Sequence, residues 1–379
     1  MAGFFFSSFF FLFLFFVPLE AKALSTFVPA AKQKLYQKLL ETYAPVWVQE
    51  IKAKPLYDIP TNVDFDANDT GVDNVANAET YPLPAHVYSA VVAETIDSYY
   101  LFYGVYHIKD YDTPIRSFFF KDASHDNDYE GAMLMIDKST GGVLALETWY
   151  HNLFLQFANS LQDAGNQTID GKINLEDKTH PILFVQSMGH GIRAFQKLDE
   201  DKLDQISYKI YRLGKGTPDV KQSTDRCLTY TLMPFDIFIK DAAGPFDDSS
   251  LFTNAYNFGI GPNPLGKFIS GPYQGDGWAH PKPPWSWFDK FDTFRPGSWF
   301  FHPATVFNTH FSLHKSHEYV YNLGAQYLLK VPNTTLNAWV EQPSLSFFSQ
   351  VPSGFFHRPF LIIRNFLYRI TEFCFYYFG

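Results

Sequence analysis

The densest group of residues able to do chemistry is Ser124-His125-Asp126-Asn127-Asp128-Tyr129-Glu130-Gly131. Asp126, Asp128 and Glu130 alternate, so on an extended strand they share one face. Asp110 and Asp112 alternate in the same way upstream. Carboxylates crowded on one face repel one another, and without a cation some must take up a proton. A divalent ion removes the conflict. Oxygen-rich ligation with a single imidazole, here His125, suits Mg2+, Ca2+ or Mn2+ better than Zn2+. The alternative is an acidic strand edge facing water. Asp126-x-Asp128-x-Glu130-Gly131 followed by Asp137 also imitates an EF-hand loop, but that motif needs flanking helices, and an apolar run and a Gly-Gly turn stand there instead.

Rival sites are thinner. His310, His314 and His317 would share a face if residues 308–320 were helical, and a helical triad suits zinc. Thr309, Phe311, Tyr319 and Val320 lean towards strand, which favours separate, hydrogen-bonded histidines. The chain carries no G-x-S-x-G, P-loop or G-x-G-x-x-G sequence, so serine-hydrolase and nucleotide-binding readings have no support.

The elements that must position the acidic cluster are short strands. Tyr99-Tyr100-Leu101-Phe102-Tyr103-Gly104-Val105-Tyr106 is aromatic and β-branched. Ala132–Ile136 and Val143–Leu146 flank Asp137-Lys138-Ser139-Thr140-Gly141-Gly142, a hairpin signature. Pro181–Gln186 reads as another strand. Leu35, Leu39, Leu40 and Tyr43 repeat at helical spacing between Pro29 and Pro45. The expected fold is mostly β: an antiparallel β-sandwich with long Gly/Pro/Trp-rich loops and short flanking helices.

Thirty Lys and Arg against 39 Asp and Glu leave a net charge of −9 over 379 residues, and no basic face is visible, which argues against nucleic acid. Aromatic residues make up 19% of the chain, including 41 Phe, and charged residues only 18%, below the roughly 25% of ordinary domains. Such a chain packs against itself or a membrane rather than staying disordered. Phe4–Val17 is an apolar run closed by Pro18 and followed by Ala21-Lys22-Ala23, the layout of a signal peptide, although no Lys or Arg precedes it. The expected organisation is a leader over 1–23, an N-terminal helix over 24–45, a β-sandwich with the site over 46–240, a loop-rich extension over 241–353 and an aromatic amphipathic helix over 354–379. Arg364 and Arg369 disfavour a bilayer-spanning tail. Export permits a disulfide between Cys227 and Cys374, while a buried thiol at Cys374 fits its aromatic surroundings equally well.

His125-x-x-Asp128-x-Glu130, preceded by Tyr103-Gly104-Val105-Tyr106-His107-Ile108-Lys109-Asp110, resembles the core of the necrosis- and ethylene-inducing-like proteins, whose hallmark is G-H-R-H-D-W-E after a strand ending in a lysine–aspartate pair. Pro181–Gln186 followed by Ser187-Met188-Gly189-His190-Gly191 resembles the strand and G-H turn of the related vacuolar protein sorting-associated protein sixty-two family. The likeness covers roughly residues 43–195. Tyr129 stands in place of Trp, Asn127 in place of the second His, and Gly131 differs as well. The resemblance implies a cation held by Asp110, His125, Asp128 and Glu130. It places His190 in the same cavity, on a sandwich related to pore-forming cytolysins; Tyr129, Asp126 and Asp112 are further candidates for lining that cavity.

The expected function is that of an exported, divalent-metal-binding module recognising a glycan or glycolipid head group, with a membrane surface as a further partner and no nucleic acid. Trp278, Trp285, Trp287 and Trp299 either stack on sugar rings or pack the loops. The other readings are a metal-dependent hydrolase with His190 as acid or base, and a cation that only rigidifies the hairpin.

Overall fold

The structure, a computed structural model, describes residues 27–68, 71, 73–111, 124–150, 153–243, 281–284, 287 and 298–330. The expected leader, Asp112, Trp278, Trp285, Cys374 and the 354–379 tail lie outside them. The strands are β1 (Val46–Ile51), β2 (His86–Thr95), β3 (Ser98–Asp110), β4 (His125–Asp137), β5 (Val143–Tyr150), β6 (Leu153–Ala158), β7 (Ile169–Lys172), β8 (Leu175–Glu176), β9 (His180–Val185), β10 (Ile192–Ala194), β11 (Ser207–Leu213), β12 (Cys227–Pro234) and β13 (Tyr319–Asn322).

They form one sheet in the order β10-β9-β1-β11-β12-β2-β3-β4-β5-β6-β7, with β13 pairing β2 and β8 pairing β9. The pairs β1–β9, β11–β12, β12–β2 and β6–β7 are parallel, the remainder antiparallel. The expected antiparallel sandwich is therefore corrected to a mixed sheet curled into a half-barrel. The curl brings β10 back onto β5, where the Thr148 hydroxyl donates to the Ile192 carbonyl at 2.6 Å. Parallel neighbours need long crossovers, and apolar patterning records which side chains are buried, not which way a strand runs.

The β4–β5 hairpin matches its sequence signature. β3 and β4 pair from Ser98↔Asp137 to Asp110↔His125, and Gly141, at φ 69°, supplies the left-handed step of the β4–β5 turn. Alternation divides β3 and β4 into two faces. One carries Phe102, Gly104, Tyr106, Tyr129 and Gly131, the other Val105, His107, Asp128 and Glu130.

The first face meets the helix Phe235–Ala243 and an aromatic cluster. Phe102 lies 5.3 Å from Phe235 and 6.0 Å from Trp299, and Tyr129 stacks on Phe238 at 3.9 Å between ring centroids. Trp287 and Trp299 are buried in this cluster, so of the two roles open to them they take packing. Much of the aromatic excess is thus core.

Two flanking segments depart from expectation in detail. The N-terminal helix runs Gln33–Thr42 and buries Tyr36 and Leu40, whereas Leu35 is 43% exposed. The 241–353 segment supplies more than loops: the helices Ser298–Phe301, Pro303–His310 and Leu323–Lys330, and β13 at the sheet. Cys227 is an exposed thiol on β12. No helix among the described residues is long and apolar enough to cross a membrane.

Candidate metal centre

The β3–β4 register sets His107 opposite Asp128 and Asp110 opposite His125. Strict alternation would send His125 and Asp128 to opposite faces, yet His125 Nε2 lies 3.7 Å from both Asp128 Oδ1 and Asp110 Oδ2. The intervening Asn127 has left-handed backbone, φ 57°, which breaks the alternation at the strand's start. Its side chain pins that geometry. Asn127 Oδ1 accepts from the Tyr106 hydroxyl at 2.5 Å and from Asn74 Nδ2 at 3.1 Å, while Asn127 Nδ2 donates to the Gly71 carbonyl at 2.7 Å.

The third wall is the turn between β9 and β10. Met188 (φ 74°) and His190 (φ 49°) both adopt left-handed backbone there, an uncommon conformation for such side chains that surrounding bonds must hold. Asp58 supplies them. It accepts from the Met188 amide at 2.9 Å, the Lys52 amide at 2.9 Å and the Tyr111 hydroxyl at 3.0 Å, and lies 3.4 Å from His190 Nε2. His190 Nδ1 meets Asp128 Oδ2 at 2.8 Å. The His190 ring stacks on that of His107, 3.8 Å between centroids and 5° from parallel. Behind it, His107 Nε2 is 3.0 Å from Gln49 Oε1.

The electrostatics follow from these contacts. Burial alone would lower the His190 pKa, but hydrogen bonds and charge from Asp128 and Asp58 override it and raise it to about 9. Burial, with the neighbouring His190, drives His107 well below the ordinary imidazole value. Glu130 is pushed far up by burial, then by the charges of Asp128 and Asp110. Lys282 is lowered to about 8 by burial, against the pull of Asp128 and Glu130. An excess of buried negative charge therefore surrounds Asp128, and protons and one ammonium balance it here.

The residues fit a cation. One ligand atom from each of His107, Asp128 and His190 lies within 4.8 Å of the other two, and the buried Glu130 Oε2 has no hydrogen-bond partner. Of the sequence-derived ligands, Asp110, His125 and Asp128 meet directly, and Glu130 shares their electrostatic neighbourhood. His190 joins them through Asp128. Two expected cavity residues do not: Asp126 pairs with Lys109, and Tyr129 belongs to the aromatic face. Asp112 lies outside the described residues. The histidine triad is not assembled. His310, buried at the end of its helix, bonds to Glu147, whereas His314 and His317 follow the helix and are exposed.

His107, Gln49, Asp58 and Lys282 were not signalled as site residues. For His107 the signal exists: once Asp110 faces His125 in an antiparallel pair, the register puts His107 opposite Asp128. Asp58 and Gln49 arrive from distant segments, and no local pattern marks them.

No family model matches the chain, and no curated protein matches it in sequence. Among solved structures it is similar in part to one described as a toxin fold for microbial attack and plant defense, at 16% identity over 42% of this chain and 67% of that one, with a TM-score of 0.26. NLPPya in complex with glucosamine gives 14% identity over 42% and 68%, with a TM-score of 0.26. Necrosis and Ethylene inducing Protein 2, from the causal agent of cocoa's Witches Broom disease, gives 18% over 42% and 54%, with a TM-score of 0.21. The likeness to vacuolar protein sorting-associated protein sixty-two finds no support. Overlap this partial leaves the reading of the centre to its own residues.

Proposed function

We propose that this chain is an exported divalent-cation-binding β-protein that recognises a glycan or glycolipid head group, the cation bridging protein carboxylates to ligand hydroxyls or phosphate. The convergence of carboxylates and imidazoles on Asp128 carries the reading, because so much buried negative charge is stable only beside a cation or with protons added. Asp110, His125, Asp128 and Glu130 would hold the ion, with His190 behind Asp128. The centre is sealed on its inner side, where the Asp58 and His190 side chains are fully buried. Asp110 and His125 keep 18% and 22% of their side-chain surface exposed. Ligand oxygens would enter on that side.

Thermal-shift titration of the wild type and Asp128→Ala with Mg2+, Ca2+, Mn2+ and Zn2+ tests the cation. The wild type should gain about 2.7 kcal/mol at an ion concentration a hundred times Kd, and the variant should gain little. An equal response in both would sink the assignment. Metal-loaded and chelated protein on a glycan array and on glycolipid liposomes then tests recognition, and binding unaffected by chelation would remove the bridging role.

A further inference from the structure

The carboxylate set alone suits a hard cation, but the buried imidazole of His107 changes the chemistry. Gln49 is buried. Its Nε2 donates to the Glu50 carbonyl at 2.9 Å and the Gln186 carbonyl at 3.3 Å, so the amide cannot be turned over without losing both bonds. Gln49 Oε1 therefore faces His107 Nε2 at 3.0 Å as an acceptor, and Nε2 must carry the ring proton. That leaves the lone pair on His107 Nδ1. This atom is wholly buried and has no hydrogen-bond partner. A buried acceptor left unmade is unfavourable. One ligand atom each from His107, Asp128 and His190 lies within 4.8 Å of the other two, and a cation among them would give the unpartnered nitrogen a partner.

Resting on the cation-site reading above, we propose that His107 is an additional ligand, that Gln49 is its positioning residue, and that the centre selects a borderline first-row cation of the Zn2+ class over Mg2+ or Ca2+. Imidazole nitrogen is a preferred donor for zinc and its neighbours and a poor one for Mg2+ and Ca2+, which take oxygen. Histidine ligands are commonly fixed in the required tautomer by a partner on the other ring nitrogen, the part Gln49 plays.

Isothermal titration of chelator-stripped full-length protein with Zn2+, Co2+, Mg2+ and Ca2+ tests this, with Co2+ absorption reporting nitrogen ligation directly. His107→Phe keeps a stacking ring and removes the nitrogen. It should weaken Zn2+ and Co2+ by about 10–100-fold, shift the Co2+ spectrum, and leave Mg2+ and Ca2+ affinity unchanged. Gln49→Leu should reproduce both the Zn2+ loss and the shift in the Co2+ spectrum, and this variant carries the test if His107→Phe does not fold. Unchanged Zn2+ affinity and an unchanged Co2+ spectrum in His107→Phe, or in Gln49→Leu, would overturn the ligand role and leave the carboxylate site standing. A wild type that binds Mg2+ or Ca2+ more tightly than Zn2+ would do the same. Binding of no ion by wild type would overturn both readings.

Discussion

Replacing Asp58 by alanine removes one partner from four groups: the amides of Lys52 and Met188, the Tyr111 hydroxyl and His190 Nε2. Breaking one side of a buried ion pair costs about 3–5 kcal/mol, and each buried donor left unmade about 1–3 kcal/mol. These terms overlap because the donors share one carboxylate, so the expected loss for Asp58→Ala is about 3–5 kcal/mol rather than their sum. Asp58→Asn keeps the shape and one acceptor oxygen but points an NH2 at donors, and should cost about 1–3 kcal/mol. Urea unfolding of the three proteins at neutral pH measures both values through the midpoint and slope. The damage should also reach the centre. Without Asp58 the left-handed turn at Met188 and His190 loses its anchor, so the His190 ring resonances should move and the cation should bind more weakly. A loss below about 0.5 kcal/mol for Asp58→Ala, the range of a neutral surface change, would refute the view that this carboxylate organises the inner wall.

Two further outcomes follow from the same contacts. A Cβ on Gly104 would fall 2.0 Å from Tyr129 Oη and 2.4 Å from its Cζ. Gly104→Ala should therefore push Tyr129 off Phe238 and cost about 1–3 kcal/mol, and adding Tyr129→Leu should recover part of that loss in denaturant melts. Asp137 has its carboxyl pKa pulled well below the ordinary range, first by Lys315 and then by Ser139. A folded value below the unfolded one contributes stability that is full above about pH 4 and lost as pH falls through the folded value. Lys315→Met should therefore be less stable than wild type at pH 7, with the gap closing towards pH 2; a gap that stays constant across that range would show that the ion pair is not its cause.

What the sequence made legible follows local physics. The β4–β5 hairpin was readable because Gly141 and Gly142 sit between two apolar runs. The acidic group was readable because Asp128 and Glu130 alternate. The sheet's parallel pairs were not. β1 meets β9 through Val46↔Ile182, and no feature of either segment specifies that partner or its direction. The centre divides along the same line. Asp110, His125 and Asp128 lie on adjacent strands of one hairpin and could be named from spacing. Asp58, 130 residues before its partner Met188, could not. His107 sits between these cases, since pattern alone gives one imidazole while register gives a second. Asn127 shows a further limit: strict alternation would separate His125 from Asp128, and only its left-handed backbone reunites them.

The central claim is that a cation sits beside Asp128. Anomalous diffraction from crystals soaked in Mn2+ and, separately, in Zn2+ tests it most directly. A peak is predicted within about 2.0–2.3 Å of an Asp128 oxygen, the distance of a bound first-row cation, with Asp110, His125 or His107 completing its shell. Well-ordered maps with no peak at Asp128 in either soak, and His190 still bonded to its carboxylates, would contradict it.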